Sequence, residues 1–177
     1  QQFMVRNNNN TPCVLHAVRA GSAECLRFIS QNVPGGEELF KLTDDMLFTC
    51  CSVAAQSSPD VLAAVVEACG REHVASFTHH GTGVAFLACL SGRVDTMQYI
   101  VEELGRGCIM TTSNAGSTPL TWALSSRPLA EYLVREGGWE LVSKRDQGGW
   151  TALHRLEYCG QHEFAFEIAA EFGERGC

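Results

Sequence analysis

GWTALHRLEYCGQHEFAFEIAAEFG, residues 149–173, is the stretch whose reading decides the fold. Gly149 suits a tight turn, Thr151 offers a hydroxyl that can N-cap a helix, and Gly160 suits the left-handed residue that ends one. This punctuation predicts two short helices joined by a turn. In the second, Phe164, Ala165, Ile168, Ala169 and Phe172 form an inward stripe at helical spacing, and Glu163, Glu167 and Glu171 form a solvated one. His154, with Tyr158 and Cys159 close by, can be read as a catalytic group or as scaffold. In T-x-x-H the imidazole lies one turn from the capping Thr and can hydrogen-bond within that turn, so the scaffold reading is preferred.

The same arrangement recurs toward the N-terminus. GSTPLTWALSSRPLAEYLVREGG (116–138) and TGVAFLACLSGRVDTMQYIVEELG (82–105) are clear copies, and NTPCVLHAVRAGSAECLRFIS (10–30) is an earlier one. LFTCCSVAAQSSPDVLAAVVEACG (47–70) is degenerate. Anchored on the start of each first helix, the copies begin near Pro12, Phe48, Gly83, Thr118 and Thr151, at steps of 36, 35, 35 and 33 residues. Thr118 can cap with its hydroxyl while Pro119 takes the first helical position, where no N–H is needed. Small residues recur in the first helices at Ala17-Val18, Val53-Ala54 and Ala88-Cys89, which lets neighbouring helices approach closely. No single unit can bury its own apolar face, so a stack must supply the core.

These residues resemble the ankyrin repeat, with its pattern G-x-T-P-L-H-x-A-A-x-x-G-H followed by an apolar second helix. Gly149, Thr151, Leu153, His154 and Gly160 match in the last copy, and Gly116, Thr118, Pro119, Leu120 and Ala123 in the fourth. Gly81, Ala88, Gly92 and the Met97/Ile100/Val101 stripe match in the third. The resemblance implies an all-α, ankyrin-type helix–turn–helix solenoid of about ten helices. It spans 1–177 as one array, with approximate repeats 7–42, 43–77, 78–112, 113–145 and 146–177. Four departures stand out. Asn10 replaces the first turn glycine, and the second copy lacks the Thr-Pro box and the glycines. Ser125-Ser126-Arg127-Pro128 replaces the fourth helix–helix turn, and Leu156-Glu157 occupies the small-residue pair of the fifth. Residues 31–43 read as an extended inter-repeat loop held by Pro34 and Gly35-Gly36.

Composition narrows the function classes. With 20 acidic against 13 basic side chains the formal charge is -7, which argues against nucleic acid and anionic membrane surfaces as partners. No run approaches the roughly 18 apolar residues of a membrane span, so no membrane insertion is expected. The opening QQFMVRNNNN carries no signal-peptide pattern, which says little about location. The nine cysteines are odd in number and fall largely inside apolar, helix-like segments, so reduced thiols and an intracellular setting are expected. Asn9-Asn10-Thr11 fits the glycosylation pattern, but so short a match arises often by chance. Cys69, His73, His79 and His80 are the zinc alternative. They fall on a helix end and a loop, without a C-x-x-C, and no metal or cofactor is expected. No P-loop, G-x-G-x-x-G or G-x-S-x-G occurs, and no Cys/His pair has an orienting third group, so the chain is read as no enzyme.

The resemblance implies a protein partner held at the loop fingers and the concave face of the first helices. Carried over by position, the fingers offer Asp44, Asp45, His79, His80, Gln147 and Trp150, and the first helices Leu87, Leu90, Trp122, Arg155 and Tyr158. Trp, Tyr and Arg dominate interface energetics, which places the hot spot in the last two repeats. Trp122 has a second reading, as a spacer between neighbouring first helices. The function expected is a protein-binding scaffold. The alternatives are a permanent subunit of a large assembly, or the targeting part of a longer enzyme or effector. Phe166 falls outside the inward stripe of its helix, near the side where a following repeat would stack, so a cover from the same chain or a neighbouring subunit is expected.

Overall fold

A computed structural model describes residues 6–8 and 10–173. Among these residues the chain is all-helical, with eleven α-helices, no strand, and one isolated bridge between Arg6 and Pro12. Ten helices form five consecutive pairs: α1 (Cys13–Ala20) with α2 (Ala23–Asn32), then α4 (Cys50–Ala54) with α5 (Pro59–Cys69). The next are α6 (Val84–Ser91) with α7 (Val94–Leu104), α8 (Pro119–Ala123) with α9 (Arg127–Ser143), and α10 (Ala152–Tyr158) with α11 (His162–Gly173). First helices pack on one another in the order α1, α4, α6, α8, α10, and second helices in the order α2, α5, α7, α9. Leu15, Leu26, Leu62, Phe86, Met97, Leu120, Leu133 and Leu156 are fully buried along this series, so the core runs through the pairs rather than within any one.

Each pair is entered through a turn with the same two backbone bonds. The N–H groups of Asn7, Asp44, Thr78, Ser113 and Asp146 donate to the carbonyls of Thr11, Phe48, Thr82, Ser117 and Trp150. In return Asn10, Leu47, Gly81, Gly116 and Gly149 donate to the carbonyls of the first set, and all five have positive φ, between 56° and 78°. Asn10 therefore fills the glycine position as its chemistry allows. In the second turn Leu47 holds it at φ 60°, an uncommon conformation for a bulky side chain, which is why no glycine marks that copy. The first helix there is capped by Thr49, one residue later than the spacing implied, and Ser52 Oγ returns a bond from Thr49 N at 2.9 Å. That register places Ala54-Ala55, both buried, at the small-residue pair instead of Val53-Ala54.

Residues 31–43 are not simply an extended loop. They include the one-turn helix α3 (Gly36–Leu39), which packs on α2 and α5 and buries Leu39 and the adjoining Phe40. Gly36 lies so close to α2 that a Cβ there would sit 2.3 Å from the Ile29 carbonyl oxygen, which requires glycine for its size. The Thr118 cap also differs from expectation. Its Oγ1 is buried without a partner, and the Thr118 carbonyl instead accepts from Thr121 N at 3.1 Å and Thr121 Oγ1 at 2.7 Å. Thr151 forms the full capping box, its Oγ1 2.7 Å from His154 Nδ1, which also accepts from Thr151 N at 3.2 Å. His154 is thus tied into the first turn of α10.

Candidate functional site

The turn tips form one hydrogen-bonded row. His79 N donates to Met46 O at 3.2 Å, Asn114 N to His80 O at 2.9 Å, and Gln147 N to Ala115 O at 3.1 Å. Side chains at the same positions reinforce it. His79 Nε2 lies 2.8 Å from Asp45 O, Asn114 Nδ2 donates to His79 O at 2.9 Å, and Gln147 Nε2 to Asn114 O at 2.7 Å. Asp45 accepts from Asn10 Nδ2. Asp44, expected as a contact residue, is half-buried, and its Oδ1 accepts from the N–H groups of Met46 and Phe48, both at 2.9 Å. Much of the finger polarity therefore ties turn to turn. His80 keeps an exposed ring and shares a shallow groove with Gln147 and Trp122.

On the first helices one expected contact is corrected. Leu87 is 3 % exposed and packs in the core, because α6 is enclosed by α4, α7 and α8. Leu90, one turn on, is 59 % exposed. Trp122 is half-buried, its ring edge-on to Phe86 at 5.4 Å between centroids and 81° between planes. This is the geometry of the spacer reading.

The remaining expected residues converge at α10. Trp150 lies 5.4 Å edge-on from Tyr158, and the Arg155 guanidinium sits 5.3 Å from the Trp150 ring centroid. Arg155 Nη2 also meets Asp146 Oδ2 at 2.5 Å. Asp146 Oδ1 accepts from Gly148 N at 2.8 Å and Trp150 N at 3.0 Å. The Arg155 guanidinium, with these backbone donors, holds the Asp146 carboxyl below the usual carboxylate range. The carboxylate side chain is only 5 % exposed, so one buried anion fixes the turn, the indole and the arginine together. Trp150 is half-exposed and Tyr158 is 79 % exposed.

Sequence reading missed Trp139. It lines the same open groove, of about 650 Å³, with Trp150, Leu153, His154 and Tyr158. Its position depends on Gly138, which breaks the helical path of α9 at φ 61° and ψ -162°. Beyond that kink Trp139 packs 5.6 Å from Phe172. The Gly137-Gly138 pair ahead of an aromatic was the one available signal.

The site offers aromatic faces, a cation and one bound carboxylate, which suits recognition of another surface. Among the described residues no three His, Cys, Asp or Glu side chains are grouped as metal ligands, and no helix is long and apolar enough to cross a membrane. No protein-family model matches the chain, and no curated protein does either.

Proposed function

We propose that this chain is an ankyrin-type repeat scaffold that binds a protein partner, without catalysis, through the Trp139–Trp150–Arg155–Tyr158 surface. One observation carries the reading: Trp150, Arg155 and Tyr158 join Trp139 in one exposed aromatic–arginine cluster around α10, pinned by the Asp146 carboxylate. The five equivalent turns and the helix pairs support the repeat assignment, and the buried thiols of Cys50, Cys51, Cys69 and Cys89 suit an intracellular setting. The row of finger tips with His80 and Gln147 extends the surface toward Trp122.

The test is capture of partners from cell extract by the chain and by three variants. Trp150→Ala and Tyr158→Ala should each weaken the retained partner by about tenfold or more, since central aromatic anchors contribute about 2 kcal/mol each. Leu90→Ala, also exposed but outside the cluster, should leave capture unchanged. Equal retention by all three overturns the proposal, provided circular dichroism shows the same helicity.

A further inference from the structure

The second helix pair contains the closest approach of two thiols among the described residues. Cys51 Sγ in α4 lies 3.5 Å from Cys69 Sγ at the end of α5, both buried, with Cys50 beside them. The other cysteines are placed differently. Cys13, Cys25 and Cys159 are exposed, and the Cys89 thiol is bonded to the Ala85 and Pro119 carbonyls at 3.1 and 3.2 Å. We propose that Cys51 and Cys69 are an oxidative modification site, where a peroxide closes an intramolecular disulfide joining α4 to α5.

The geometry favours this pairing. A disulfide needs about 2.05 Å between sulfurs, so the two atoms must close by about 1.5 Å. Cys69 is the last residue of α5, followed by Gly70 at φ 92° and a single 3₁₀ turn, Arg71–His73, so the backbone can yield there. The roles of the two thiols differ. The hydrogen bond from Cys51 lowers the Cys69 thiol, assisted by Lys41 and opposed by burial and by Glu72. The same bond and burial push Cys51 up, so it keeps its proton. The Cys69 thiolate is therefore the attacking group.

The chemistry balances as two steps. Cys69 Sγ attacks one oxygen of hydrogen peroxide, the O–O bond breaks, and a sulfenic acid and hydroxide form. Cys51 gives its proton to that hydroxide, making one water, and its sulfur attacks Cys69 Sγ. The sulfenic hydroxyl leaves and is protonated to a second water. Two thiols lose two electrons and two protons in total, and one peroxide becomes two waters. A thiol reductant reverses the bond by exchange.

The experiment uses the whole chain with Cys13, Cys25, Cys159 and Cys177 replaced by Ser, which removes cross-linking between molecules through these positions. After hydrogen peroxide, intact mass should fall by two hydrogens per chain, and dithiothreitol should restore it. Peptide mapping should join the segment holding Cys51 to the one holding Cys69. Cys50→Ala should keep the link, and Cys51→Ala or Cys69→Ala should abolish it. The oxidised chain should unfold at higher denaturant than the reduced one. A link that survives Cys51→Ala, or addition of oxygen at Cys69 without any link, overturns the assignment. Should an Ala variant fail to fold, the linked peptide of the parent chain decides alone.

Discussion

Helices α6 and α10 hold the same place in their pairs and meet opposite surroundings. Each begins three residues after a glycine of positive φ, Gly81 or Gly149. In α6 every residue from Val84 to Cys89 is buried, because α4 and α8 lie on either side. In α10 only Ala152 and Leu156 are buried, while His154, Arg155, Glu157 and Tyr158 are exposed. The residues follow the surroundings: Phe86 and Cys89 become His154 and Glu157. Burial at a given helix position is thus set by the neighbouring pair as much as by the helix itself. What stacking leaves unexplained is the aromatic rim around α10, which is why that rim carries the functional proposal.

Phe166 belongs to the other side of this comparison. It is 74 % exposed, yet its counterpart counted from the helix–helix turn glycine is Gln98 in α7, which is exposed inside the stack as well. The exposure therefore marks the outer face of a second helix and does not by itself point to a missing neighbour.

The largest expected effect tests the interior half of the comparison. Phe86→Ala should destabilise the chain by about 3–5 kcal/mol, since it removes a fully buried ring in contact with Trp122. At the matching position His154→Ala should cost about 1 kcal/mol, the value of a cap. Denaturant titrations giving equal losses would break the contrast. A smaller pair sharpens it at the caps. Thr151→Val should cost about 1 kcal/mol through the lost capping box. Thr118→Val should be neutral or stabilising by up to about 1 kcal/mol, because the buried hydroxyl it removes has no partner. A clear loss at Thr118 would mean that its hydroxyl is satisfied in solution.

The smallest effect is local and depends on pH. Asp146 titrates below its ordinary value in the folded chain, so its pairing adds stability above the ordinary carboxylate value of about 4. That contribution is lost as pH falls through the depressed value. Trp150 fluorescence should therefore change in acid, and Asp146→Asn should abolish the transition. An identical acid transition in the variant would assign it to another group.

The helix pairs were legible because their punctuation is local: a capping residue, a turn glycine and an apolar stripe lie within one unit. The second unit was blurred because Leu47 adopts the glycine conformation and Ser52 completes the cap, neither of which a glycine or Thr-Pro pattern detects. At the candidate site Trp150, Arg155 and Tyr158 were visible as residue types at first-helix and finger positions. Trp139 was not, because its place depends on the path of the chain at Gly138 and on Phe172, 33 residues away. Leu87 failed for a related reason. A repeat pattern tells which face a helix presents, but not how far the adjacent helices wrap around it. Asp44 looked like a surface charge, and its carboxylate instead closes its own turn.

The row of turn tips gives the stack an arrow. The tips at His79, Asn114 and Gln147 each donate toward the N-terminal side, and the first two accept from the C-terminal side. Among the described residues no backbone N–H donates to the carbonyls of Gln147 and Gly148 in the last tip. That end of the row therefore presents acceptors, since the N–H groups of Gln147 and Gly148 are already bonded to Ala115 O and Asp146 Oδ1. A partner chain held at the proposed surface would find those acceptors close to Trp150 in the sequence, where they could align its main chain.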